Sequence, residues 1–139
     1  MEISFARAWV RQVALGLAAV VLAGCATMAA SPEAAVKARA TDYWKARIAA
    51  DYEKAYGFMP PSYRAVTSLD RYKGAFGAAA QLTSAEVDEV KCEATDRCVV
   101  TSKLEAKIAL QRAKVPPVVT FFDETWIQEG GQWWLFPTQ

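Results

Sequence analysis

The chain has 139 residues, a formal net charge of +1, 53% hydrophobic residues and no histidine. That length suits one compact domain, and a near-neutral balance without a Lys/Arg cluster speaks against a nucleic-acid-binding surface. Without histidine, Ser-His and Cys-His nucleophile pairs and histidine bases are excluded, and three cysteines alone cannot complete a zinc tetrad.

The first segment, Met1 to Gln12, carries Arg7, Arg11 and a single acid, Glu2, and an apolar run follows from Val13 to Gly24. As a helix that run spans about 18 Å, well short of the ~30 Å hydrocarbon core of a bilayer. A basic start, a short apolar middle and small residues near a cut site describe a secretory signal peptide over residues 1–24, not a membrane span.

The end of this segment, Leu22-Ala23-Gly24-Cys25, resembles the lipobox of bacterial lipoproteins. The resemblance implies a diacylglyceryl group on the Cys25 thiol, cleavage just before it, and stable anchoring by palmitate-type acyl chains at about 0.8 kcal/mol per buried methylene. Ala26 rather than Asp follows, a pattern that in Gram-negative lipoproteins goes with sorting to the outer membrane, on its periplasmic face. Residues 25–31 are then the lipidated cysteine and a short tether, and residues 32–139 the folded domain. Loss of Arg7, Arg11 and Glu2 with the leader leaves acids and bases in balance.

The domain opens with "SPEAAVKARATDYWKARIA". Ser31 is a helix N-cap, Pro32 occupies the first helical position and Glu33 the first turn. Val36, Ala40, Tyr43, Trp44 and Ile48 form an apolar stripe at helical spacing. Asp51 caps a second, shorter helix that Met59-Pro60-Pro61 ends, and Ser68 caps a third, "LDRYKGAFG".

From residue 85 the pattern turns to strands. Ala85 and Val87 are out of phase with Val90 and Cys92, which predicts a bulge. Cys98, Val100, Ser102, Leu104 and Ala106 alternate with Val99, Thr101, Lys103, Glu105 and Lys107. In "EVKCEATDRCVV" a polar connection of hairpin length lets Cys92 and Cys98 face each other. Export supplies the oxidising compartment, and a disulfide across so small a ring stabilises by roughly 2 kcal/mol. The last stretch, "VVTFFDETWIQEGGQWWLFP", reads as two strands joined by Gly130-Gly131, which pairs Ile127 with Trp134 and sets Trp126 near Leu135. Helices first and an antiparallel sheet of about four strands after them is an α+β plan.

"DYWKARIAADYEKAYGFMPPSYR", "SLDRYKGAF" and the aromatic ending "DETWIQEGGQWWLFP" together resemble the NTF2-like superfamily, of the SnoaL and ketosteroid-isomerase type. The resemblance covers residues 32–139. It implies a cystatin-like cone in which N-terminal helices pack in the concave face of a strongly curved sheet, often with a pocket at the open end and a homodimer through the sheet.

Fold alone does not decide activity in such a superfamily. Tyr43, eight residues before Asp51, matches the tyrosine of the isomerase-like members, which donates to a developing oxyanion. Those enzymes also need a carboxylate base after the second helix, and "FMPPSYRAVTSL" contains none. Asp123 and Glu124 are adjacent on one strand and point to opposite faces, so one of them approaches the helix side. Tyr43 with Asp123 or Glu124 is therefore the candidate set for an isomerase- or hydrolase-type reaction. The favoured reading is a non-catalytic envelope domain that binds a small apolar or amphiphilic ligand, or a partner protein through the sheet. Tyr43, Trp44, Phe76, Trp126 and Trp134 are its pocket or contact candidates. No metal or cofactor is expected. Solvent-exposed Trp126, Trp133 or Trp134 would point to a partner, and covered tryptophans to the pocket.

Overall fold

The computed structural model describes residues 30–76, 80–108 and 116–137. The expected leader, residues 1–24, and Cys25 lie outside the described residues. No described helix is long and apolar enough to cross a membrane.

Among the described residues, four helices precede four strands: α1 (Pro32–Ile48), α2 (Tyr52–Tyr56), α3 (Pro61–Val66), α4 (Leu69–Gly74), β1 (Ala80–Ala94), β2 (Arg97–Ile108), β3 (Val118–Glu129) and β4 (Gln132–Phe136). The caps follow the sequence. Side-chain oxygens of Ser31, Asp51 and Ser68 accept from the backbone N–H groups of Ala34, Lys54 and Arg71. The helix α3 is an addition to the expected elements. Pro60-Pro61 reads as a stop, yet Pro61 takes the first helical position, where a missing N–H costs nothing.

The chain leaves α1 through a Schellman-type end. The Ala50 N–H donates to Arg47 O (3.1 Å) and the Asp51 N–H to Ala46 O (2.9 Å). Ala50 sits at φ 56°, the only positive φ outside glycine among the described residues. A left-handed alanine is strained by about 1 kcal/mol or more relative to glycine. Ala50→Gly is therefore expected to raise unfolding free energy by about 1 kcal/mol in urea denaturation.

The strands form one antiparallel sheet in sequential order, β1-β2-β3-β4. Gly130 and Gly131, at φ 60° and 74°, make the tight turn that sets Ile127 opposite Trp134 and Trp126 opposite Leu135. Cys92 pairs with Cys98 across the β1–β2 ladder, their sulfurs at bonding distance. Register shifts occur at Leu82/Ser84, Val87/Glu89 and Cys92/Ala94, the second where the phase change predicts a bulge. The sheet is not strongly curled or closed, in contrast to the curvature expected. Register shifts are confined to β1–β2, while the β2–β3 and β3–β4 ladders run in continuous register.

One sheet face meets the helices. Val36, Ala40, Tyr43 and Trp44 of α1 bury against Val87, Cys98, Val100, Trp126, Trp133 and Leu135. At the outer edge of β4, the Leu135 N–H donates to Phe58 O (2.9 Å), so the loop after α2 satisfies one edge group.

Candidate functional site

A pocket of about 440 Å³ lies between α1, α3, α4 and the helix-facing side of the sheet. Its walls are aromatic and aliphatic: Tyr43 and Trp44 of α1, Tyr63 of α3, Tyr72 and the following Phe76, Leu82 of β1, Leu104 of β2, Phe122 of β3, and Leu135 and Phe136 of β4. Such a cavity, apolar with few polar groups, has the form of a small-molecule site. The charged groups of the lining are Glu124 and Arg47, and the hydroxyls of Tyr43, Tyr63 and Tyr72 add polar atoms.

Glu124 comes from β3 and is only 3% exposed. Its Oε2 accepts from Trp44 Nε1 (2.9 Å) and Ser102 Oγ (3.2 Å), and the same indole N–H also reaches Ser102 Oγ (2.9 Å). Oε1 takes no hydrogen bond from any described residue. Burial disfavours the charged form and pushes this carboxyl up to about 7, although the Trp44 and Ser102 hydrogen bonds and the Arg47 charge hold it down in part.

Arg47, one turn after Tyr43 on α1, donates from Nη1 to the Tyr43 hydroxyl (2.9 Å). Its guanidinium carbon stands 3.4 Å from the Phe76 ring centroid, a cation–π stack. Its Nε is buried with no hydrogen-bond partner. The Tyr43 phenol is pushed up, first by burial, with the Arg47 charge opposing. The Tyr72 phenol is pushed up as well, again first through burial and then through Tyr43 beside it, and its hydroxyl has no well-formed hydrogen bond among the described residues.

Of the expected pair of carboxylates, Glu124 is the one on the pocket side. Asp123 points to the opposite face, exposed, and accepts from Thr101 Oγ1 (2.7 Å). It is thereby removed from the candidate set, because strand alternation puts the two neighbours on opposite faces. Tyr43, Trp44 and Phe76 line the pocket as expected, but Trp126 and Trp134 do not. Trp126 is fully buried beneath Tyr43 and Phe58, with ring centroids 6.5 and 6.4 Å away. Trp134, half-buried, has the Arg39 and Arg64 guanidinium carbons each 5.6 Å from its ring centroid and donates from Nε1 to Glu129 O (3.2 Å). Gln132 accepts from the same Arg39 through its amide oxygen. Trp133 is buried as well. Covered tryptophans direct attention to the pocket. The exposed large apolar groups of the far sheet face include Val119 and Phe121 on β3.

Arg47 and Ser102 are site residues the sequence reading did not single out. A hydroxyl at an inward position between Val100 and Leu104 was the available sign for Ser102. Arg47 carried a weaker one, its position three and four residues after the inward Trp44 and Tyr43. No cluster of three or more potential metal ligands occurs among the described residues.

No protein-family model matches the chain, and no curated protein matches it in sequence. In three dimensions it is similar to the solution structure of a SEC-C motif-containing protein from Rhodopseudomonas palustris, with a TM-score of 0.54 and 16% identity. The match covers 75% of this chain and 73% of that one. The likeness is one of fold alone.

Proposed function

We propose that the chain is a lipid-anchored protein of the cell envelope whose NTF2-like domain binds a small apolar or amphiphilic molecule. The observation that carries this reading is the pocket itself: aromatic walls around one buried carboxyl, Glu124, and one guanidinium, Arg47. The lipobox-like Leu22-Ala23-Gly24-Cys25 supports the anchor, and through Ala26 a place on the periplasmic face of the outer membrane in a Gram-negative cell. Helices packed on one face of a four-stranded antiparallel sheet suit an NTF2-like module with a flatter sheet than usual.

A second reading is favoured by one observation, the shared pocket of Tyr43 and Glu124. A carboxyl poised near neutrality is suited to proton transfer. Catalysis would require Glu124 Oε1 to reach the substrate proton, since Oε2 is already engaged by Trp44 and Ser102.

Two measurements on the full chain test the favoured reading. Mass analysis of the N-terminal peptide is expected to show a chain beginning at Cys25 with diacylglyceryl mass attached; an unmodified Cys25 would contradict the anchor. N-phenylnaphthylamine fluorescence is expected to rise on mixing with the protein, and Ala106→Phe, which fills the pocket from β2, is expected to abolish the rise. Unchanged dye binding in that variant would remove the pocket from the account.

A further inference from the structure

The polar groups of the pocket are mismatched in a way that specifies a ligand. Arg47 brings a positive charge to an apolar cavity, yet no carboxylate lies within ion-pair distance of it among the described residues. The ion pairs present, Lys45–Asp42, Lys91–Glu89 and Arg97–Glu93, are all on the exposed surface. Its Nη1 donates to the Tyr43 hydroxyl and its Nε is buried, while Nη2 has no partner among the described residues. A guanidinium that lines an apolar cavity with an uncommitted N–H is best satisfied by an anion that accepts from it. Across the same cavity, Glu124 Oε1 has no donor or acceptor partner among the described residues, while Oε2 is held in place by Trp44 and Ser102. The remaining walls offer rings and aliphatic carbons, with the hydroxyls of Tyr43, Tyr63 and Tyr72 as their polar atoms.

Resting on the reading of this pocket as a ligand site, we propose that its ligand is a monocarboxylate with an aliphatic or aryl body. The head accepts from Arg47 and faces Glu124 Oε1, and the body lies along Phe76, Phe122 and Leu104. An amine would meet the Arg47 charge, and a neutral alcohol would leave the guanidinium without its anion. A phosphate would bring two charges against one guanidinium and an adjacent carboxyl. A carboxylate needs one proton between itself and Glu124, because two ionised carboxyls in contact repel. The other titratable groups facing that proton are Arg47 and Tyr43 from α1, Tyr63 from α3 and Tyr72 from α4; β1, β2 and β4 contribute none to the pocket.

Calorimetric titration of the full chain with decanoate, decanol and decyltrimethylammonium decides the matter. Decanoate is expected to bind about tenfold more tightly than decanol near pH 6, the usual advantage of a charge-assisted pair. The ammonium is expected to bind most weakly. Decanoate affinity is expected to fall as pH rises through about 7, where Glu124 releases the shared proton. Arg47→Met is expected to erase the preference, and Glu124→Gln to flatten its pH dependence. Equal binding of decanoate and decanol, or preference for the ammonium, would overturn the carboxylate assignment and leave the pocket reading standing. Failure of all three to bind would remove the pocket reading itself. The wild-type comparison decides these outcomes even if a variant fails to fold.

Discussion

Trp126→Ala is expected to destabilise the domain by roughly 3–5 kcal/mol, a large share of the ~5–15 kcal/mol that holds a native domain together. The indole is fully buried at the centre of the core, paired laterally with Cys98 on β2 and Leu135 on β4, and its ring meets Tyr43 and Phe58 edge to face. Truncation would therefore open a cavity where α1, the loop after α2 and three strands converge. Trp126→Phe is expected to cost far less, within about 1.5 kcal/mol. The reason is that Trp126 Nε1 is buried with no hydrogen-bond partner, so the smaller ring removes an unsatisfied donor while it loses packing. Urea denaturation of the two variants checks the contrast. Equal losses would show that the indole N–H finds a partner in solution.

Glu124→Gln is expected to stabilise the protein at alkaline pH and to leave it nearly unchanged in acid. Burial raises the Glu124 carboxyl from an ordinary carboxylate value to about 7, so between these values the folded state holds a proton that the unfolded state has released. The stability tied to that proton is complete below the unfolded value and is lost as pH rises through about 7. The loss is on the order of 3 kcal/mol. Glutamine keeps an oxygen to accept from Trp44 and Ser102 and carries no charge to bury. The difference between wild type and variant should thus grow between about pH 4 and pH 8, in the variant's favour. A variant less stable than wild type at pH 8 would mean that the carboxylate is worth more to the fold than its burial costs.

Much of the architecture was readable because local chemistry and tertiary structure agree. The three helix caps, Ser31, Asp51 and Ser68, act where their side chains predict. A glycine pair between apolar strands was enough to derive the Ile127–Trp134 register, since a tight turn leaves no freedom to slip. The phase change between Val87 and Val90 located a bulge, and the Cys92–Cys98 spacing placed two sulfurs on one sheet face. The extra helix α3 escaped notice because Pro60-Pro61 both stops one helix and starts another.

The site was legible only in part. Alternation showed that Asp123 and Glu124 diverge, but which of them faces the helices depends on the register of β3 against β2, where Glu124 pairs with the inward Val100. Trp126 and Trp134 are also on opposite faces, yet neither is a free surface. The core takes one, and the other is covered by Arg39 and Arg64, which arrive from α1 and α3. Arg47 near the end of α1 reads as a favourable partner for the helix dipole. Its stack on Phe76 and its unpaired Nε arise from the fold that brings the end of α4 beside α1, a contact no local pattern encodes.

The proposed function depends on a carboxyl buried in an apolar pocket with one oxygen open to a ligand. Its most direct test is a carbon-detected NMR titration of the Glu124 side-chain carboxyl in the full chain, assigned by its disappearance in Glu124→Gln. The expected midpoint is near 7. A midpoint in the ordinary carboxylate range would mean that water solvates Glu124 freely, and would contradict the buried carboxyl on which the proposed function rests.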